Sequence, residues 1–94
     1  MKANEKLIMY PAVVYDDVTP DTYGLVLKDL GLITEGDTIE QAYAEMVSYL
    51  EMYYRCVMKT GETLEQPSTF ESVKKAKTKN IVLIVSSAVK KGGL

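Results

Sequence analysis

The stretch MYPAVVYDDVTPDTYGLVLKDLGLITEGDTIEQAYAEM, from Met9 to Met46, decides the fold, because it spells strand, hairpin, strand, tight turn, strand and helix start without interruption. The first strand reads from Leu7 to Tyr15 and is apolar at both alternations, with Leu7, Met9, Val13 and Tyr15 on one face and Ile8, Tyr10, Ala12 and Val14 on the other. A strand of this kind is central or covered on both sides. Pro11 cannot donate to a ladder, so it is expected at a bulge or where its missing N–H faces no neighbour. Asp16 to Asp21 has the composition of a turn, and Thr22 to Lys28 follows as a second strand with Tyr23, Leu25 and Leu27 on one face. Gly31 then opens a turn into a third strand, Leu32 to Glu35, and Gly36 bends the chain towards a helix.

That helix has a strong start signal. Asp37 with Glu40, or Thr38 with Gln41, forms a capping box that satisfies two orphan N–H groups. Ile39, Ala42, Tyr43, Met46, Leu50, Tyr53 and Val57 recur at spacings of three and four as one buried stripe, and Gly61 is placed as the left-handed residue that ends it. About 22 helical residues make a rod of roughly 33 Å, longer than strands of about five to eight residues cover, so its last two turns are expected to pack elsewhere. Tyr49, Met52 and Tyr54 lie off the stripe in those turns. With Tyr53 they are read as an oligomer contact, since large amphipathic side chains are enriched where proteins meet.

Outward from there, Glu62 to Ser68 is a polar connector, and Ser68 or Thr69 can cap a brief helix carrying Phe70 and Val73. Asn80 to Ser87 reads as a fourth strand, apolar on both faces over Ile81 to Val85, and Ala88 to Leu94 as a short basic tail, frayed and without regular structure. The fold class is α+β: a β-β-β-α-β sheet of order 3-2-1-4 with one long helix on one face. A right-handed crossover is expected to set strand four parallel to strand one. Strand four is then an apolar edge, and Ile81, Leu83 and Val85 form a second candidate oligomer interface, because such an edge aggregates unless something pairs with it.

The 94 residues make one domain, 1–94, and no run approaches the roughly 20 apolar residues of a membrane span. The N-terminus has no secretory signal pattern, so a cytoplasmic location is expected. There is no His, no Trp and a single Cys, which removes most of the residues from which acid–base and metal sites are built. A binder is expected, not an enzyme, with no cofactor and no metal. Cys56 has no partner for a disulfide and reads as a small buried hydrophobe. The net charge of −2 conceals a division. Residues 1–73 hold all thirteen acidic residues against five basic ones, a net of −8, while residues 74–94 hold six lysines and no acid. An acidic body attracts a basic partner and repels nucleic acid phosphates.

Asp16, Asp17 and Asp21 invite a metal-nuclease reading, since carboxylates grip Mg²⁺ against a scissile phosphate. Their confinement to one turn argues instead for local hydrogen bonding. As a docking patch, the same three aspartates with Tyr23 could face a basic protein.

The chain resembles the HicB-like antitoxin family. The residues that carry the likeness are Tyr10-Pro11-Ala12-Val13-Val14-Tyr15, Tyr23-Gly24, Asp29-Leu30, the run from Ile33 through Gly36-Asp37-Thr38 to Ala42, and the polar segment from Gly61-Glu62 to Pro67-Ser68. The likeness covers about four fifths of the chain. It implies a truncated RNase H-like fold without that enzyme's active site, and a small basic HicA-like toxin, an mRNA-cleaving protein of double-stranded-RNA-binding fold, as the partner. Two features depart from the family pattern. Asp29-Leu30-Gly31-Leu32 stands where the family has Asp-Leu-Pro-Gly-Cys, and no helix-turn-helix or ribbon-helix-helix module follows strand four, so direct DNA binding is not expected. The alternative is an orphan homo-oligomeric module of the same fold with no toxin partner.

Overall fold

The apolar alternation that begins at Leu7 belongs to a strand far longer than its composition suggests. The computed structural model describes residues 5–19 and 22–90, and of residues 5, 17–19 and 90 the backbone alone. In chain order the elements are β1 (Glu5–Thr19), β2 (Thr22–Leu27), β3 (Leu32–Gly36), α1 (Ile39–Thr60), α2 (Phe70–Ala76) and β4 (Val82–Lys90). The four strands form one sheet in the expected order, β3-β2-β1-β4.

β1 spans 15 residues and uses its two neighbours in succession. Its second half pairs with β2, from Val13↔Val26 to Thr19↔Thr22, with an irregularity between Tyr15 and Thr19. Its first part, Glu5 to Val13, pairs with β4 from Lys90 to Val82. Pro11 sits at the changeover. Val14 donates its N–H to the Ile81 carbonyl (2.9 Å), so Val14, Ala12 and Tyr10 turn their backbone groups towards β4, and Pro11 turns its nitrogen towards β2. The β1–β2 ladder ends at Val13↔Val26, so the missing N–H of Pro11 has no strand opposite it.

β4 runs antiparallel to β1, which corrects the expected parallel crossover. The reason is a second traverse of the sheet. α1 starts beside Gly36 and ends with Tyr54 in one cluster with Ile8 and Val89, near the far end of the ribbon. The chain then turns back: Ser68 is clasped to the β2–β3 turn by Asp29, whose carboxylate accepts from the Ser68 N–H (2.8 Å) and hydroxyl (2.6 Å). α2 climbs the opposite face of the sheet, where Val73, Ala76 and Lys77 face Val13 and Tyr15. β4 therefore enters at the end where β1 leaves. Asn80 closes this corner, its amide donating to the Val14 carbonyl at 3.0 Å. Ala88 to Lys90, expected as a frayed tail, are paired strand residues, and residues 91–94 lie outside the described part.

The core lies between α1 and one face of the sheet. Ile8, Tyr10, Ala12 and Val14 of β1, Leu25 and Leu27 of β2, and Val85 and Val89 of β4 pack on Ala42, Met46, Leu50 and Tyr54 of α1. The extended β1–β4 ribbon covers the last turns of the helix, so those turns do not pack elsewhere. Tyr54, not Tyr53, continues the buried stripe and is only 4% exposed. Steps of three and four from Leu50 allow either residue; the ribbon lies under Tyr54. Thr38 is the N-cap, accepting from the Gln41 N–H at 3.1 Å, and Gln41 reaches back to the Asp37 N–H at 2.8 Å. At the other end Gly61 (φ 76°) donates to Met58 and Glu62 to Val57, the two bonds of a Schellman motif. α2 is capped in the same way by Thr69, which accepts from the Ser72 N–H.

Gly36 is required for a steric reason. A Cβ there would lie 2.7 Å from the Ala42 nitrogen and 2.8 Å from the Gln41 Cβ, because β3 meets the first turn of α1 backbone to backbone. Thr34 ties the same corner, its hydroxyl donating to the Ala42 carbonyl at 2.8 Å. Gly36→Ala should therefore cost about 1–3 kcal/mol of unfolding free energy in urea denaturation, and a change within a few tenths of a kcal/mol would contradict the close approach. Tyr10 gives a second test. Its hydroxyl is buried and donates to the Glu65 carbonyl, and burial, reinforced by Asp29, Tyr53 and Glu65, raises its pKa above the usual phenol value. The native state holds this proton more tightly than the unfolded chain, so the stability it contributes is complete below about pH 10 and declines as pH rises through the raised value. Tyr10→Phe should cost about 1 kcal/mol at neutral pH, and the gap to the parent should narrow above pH 10.

Candidate protein-docking surface

Among the described residues four surfaces lie outside the core: an acidic end, the outer face of α1, the free edge of β4, and the face of the sheet away from α1. The acidic end gathers residues that are far apart in the chain. Tyr15 pairs with Gly24, and Gly24 with Glu35, so Glu35 stands two strands from Tyr15, about 10 Å away, in the same row of the sheet. Gly24 between them carries no side chain. Glu35, Asp37 and Glu40 are all exposed around the β3–α1 corner, and Asp16 is exposed on β1 nearby. Tyr23 pairs with Gly36 and packs partly against the core.

The expected docking patch was Asp16, Asp17, Asp21 and Tyr23. Asp16 and Asp17 lie in the irregular stretch of β1 and not in a turn, which corrects that expectation. The Asp17 side chain and all of Asp21 lie outside the described residues. Sequence reading missed Glu35, Asp37 and Glu40, which join this end only through strand pairing. The available signal was their place either side of Gly36. Among the described residues no three potential metal-ligating side chains come together.

On α1 the outward residues are polar at both ends and apolar in the middle. Tyr49 and Met52 are 42% and 58% exposed, and Cys56 is exposed as well, correcting its expected burial. Tyr53 is half-buried. Tyr54 and Val85 are core residues, Val85 with no exposure at all, so neither side chain is available to the interfaces expected of them. Leu83 packs partly against the core, and Ile81 is exposed where β4 begins.

The edge of β4 is partly spoken for by its own chain. Ile81, Leu83 and Val85 turn their backbone groups to β1, so Val82, Ile84 and Ser86 turn theirs outward. The Tyr43 hydroxyl donates to one of those outward carbonyls, that of Ile84, at 3.2 Å. On the face of the sheet away from α1, a groove of about 580 Å³ opens between α2 and β1, floored by Pro11, Val13 and Val26. Lys77 overhangs it, its ammonium 5.9 Å from the centre of the Tyr15 ring. α2 thus brings Lys77 to the face of the sheet that also carries Tyr15. Among the described residues, no helix is long and apolar enough to cross a membrane.

This arrangement is shared with solved structures. The antitoxin HicB of Burkholderia pseudomallei is 23% identical, with a TM-score of 0.71 over 83% of this chain and 60% of its own. The present chain thus spans about 60% of that antitoxin's length. The separately solved N-terminal domain of the same antitoxin is 22% identical, with a TM-score of 0.72 over 83% of this chain and 95% of the domain. A toxin–antitoxin complex from Streptococcus pneumoniae contains a chain that is 23% identical, with a TM-score of 0.64 over 90% of this chain and 70% of that one. No family model and no curated protein matches the sequence. At these identities the likeness establishes the fold: a four-stranded antiparallel sheet with one long helix, as in the N-terminal domain of HicB.

Proposed function

We propose that this chain is an antitoxin of the HicB-like kind, which binds a small basic, mRNA-cleaving toxin and masks its nucleic-acid-binding surface. The observation that carries the reading is the match to the N-terminal domain of an antitoxin over nearly the whole of that domain. Charge supports it. A net of −8 over residues 1–73 attracts a basic protein and speeds encounter at low salt, and the exposed carboxylates of Asp16, Glu35, Asp37 and Glu40 concentrate that field at one end of the sheet. Tyr23, paired with Gly36, is a further candidate for the same contact, as Asp17 and Asp21 are by sequence alone. A toxin that cleaves RNA must itself present a cationic surface to phosphates, so an acidic end of this kind competes for the surface the RNA would use.

Masking needs no chemistry from this chain. It holds no His, and its single Cys lies on the outer face of α1, away from the acidic end. The toxin would be inhibited by occupation, and inhibition would be stoichiometric and relieved when the antitoxin is degraded.

The test is co-expression with any small basic protein whose reading frame adjoins that of this chain, followed by affinity capture and an RNA-cleavage assay. A complex should be recovered that weakens as salt rises, and RNA should stay intact at equimolar antitoxin. Reversing two charges together, Glu35→Lys and Asp37→Lys, should weaken capture by about tenfold or more, since like-charge contacts at an interface cost several kcal/mol. Failure to capture the neighbour at micromolar concentration and moderate salt would overturn the reading. Unaltered affinity in the charge-reversed protein would move the contact to another surface.

A further inference from the structure

We propose that the outward face of α1 pairs with the same face of a second copy, as two antiparallel helices crossing at Met52. This does not depend on the toxin reading. Glu45, Tyr49, Met52, Cys56 and Lys59 follow one another at steps of four, three, four and three, and all five are exposed. That is the spacing of a helix–helix seam. The core stripe of Ala42, Met46, Leu50, Tyr54 and Val57 lies about a third of a turn away around the same helix and is already buried against the sheet. α1 therefore carries two apolar stripes and spends one of them on its own fold.

The charges at the ends of the seam select the occupant and its direction. Glu45 lies seven residues before Met52 and Lys59 seven residues after it, each about 10 Å along the axis. A parallel crossing would set Glu45 against Glu45 and Lys59 against Lys59. An antiparallel crossing about a two-fold axis at Met52 sets Glu45 of each copy opposite Lys59 of the other, twice over. Ser48 then faces the partner's Cys56, and Tyr49 the partner's Arg55. Among the described residues neither Glu45 nor Lys59 is in an ion pair within its own chain, whereas Arg55 is held by Glu51 at 2.8 Å. The seam is thus complementary to itself under the two-fold operation, the condition for an isologous dimer.

The edge of β4 is the weaker rival. Pairing two β4 strands would have to displace the Tyr43 hydroxyl from the Ile84 carbonyl, whereas nothing within the chain lies over Met52, the more exposed of the two large apolar residues on the seam. The helix-face dimer also leaves Glu35, Asp37 and Glu40 outside the contact, so each copy keeps its acidic end. A single helix crossing is a small interface, so a weak dimer that forms as concentration rises is expected.

Sedimentation equilibrium over a concentration series tests this, with circular dichroism confirming that each variant is folded, as expected for exposed positions. The parent should move from monomer to dimer across the series. Met52→Glu should be monomeric throughout. Glu45→Lys and Lys59→Glu should each weaken dimerisation by about tenfold or more, and the double variant carrying both should regain most of the parent's affinity, because the two contacts are restored with their signs exchanged. A parent that stays monomeric at all concentrations overturns the proposal. So does a dimer indifferent to Met52→Glu, one lost instead on Ile84→Lys, or a double variant as weak as the single ones.

Discussion

Every other feature of this molecule depends on β1 holding two partners along a single extended run. Its second half is bonded to β2 and its first part to β4, and Ile8, Tyr10, Ala12 and Val14 along its length supply the floor on which α1 rests. A strand of ordinary length would support only one end of a helix of 22 residues. Because β1 spans the whole molecule, Met46 and Leu50 are completely buried at mid-helix and Tyr54 and Val57 stay buried near its end. The helix is fixed along its full inner side, and its outer side is left as a straight, rigid surface.

The route of the chain follows from that constraint. A helix that travels the length of the sheet leaves the chain at the wrong end to add an antiparallel strand beside β1, so residues 62–80 must travel back, with Leu64 still packed on the core and α2 on the other face. The Asp29–Ser68 clasp, the Tyr10–Glu65 bond and the Asn80 amide on Val14 mark three points of that return. The return path lays α2, with Lys74 and Lys75, on the face of the sheet away from α1, while Asp37 and Glu40 stand at the start of α1.

What could be read from the residues was what is local. The capping residue, the Schellman glycine, the Gly36 corner and the strand order depend on neighbours a few positions apart or on strong alternation. The direction of β4 was not legible, because α2 is too short to announce itself as a traverse and its role lies in contacts with Val13 and Tyr15. Asp16 and Asp17 read as turn by composition, yet the β2 ladder resumes at Thr19↔Thr22 and draws them into the strand. Ser86 and Ser87 disguised the continuation of β4 over Ala88 to Lys90, which depends on pairing with Leu7, Lys6 and Glu5. At the helix, Tyr53 and Tyr54 were interchangeable by period, and only the position of the ribbon beneath them decides. Of the exposed acids at that end, Asp16 stood out in the sequence, whereas Glu35 is brought near it by strand pairing and Asp37 and Glu40 by the β3–α1 corner.

The two proposals together give the molecule two separate surfaces, an acidic end for a basic partner and a helix face for a second copy. Native mass spectrometry of this chain with a small basic partner captured by co-expression, over a range of concentrations, tests this most directly. The account requires a complex of two copies of this chain with two copies of the partner. A complex of one with one at every concentration, or a partner whose binding breaks the dimer, would contradict it by showing that the two surfaces are one.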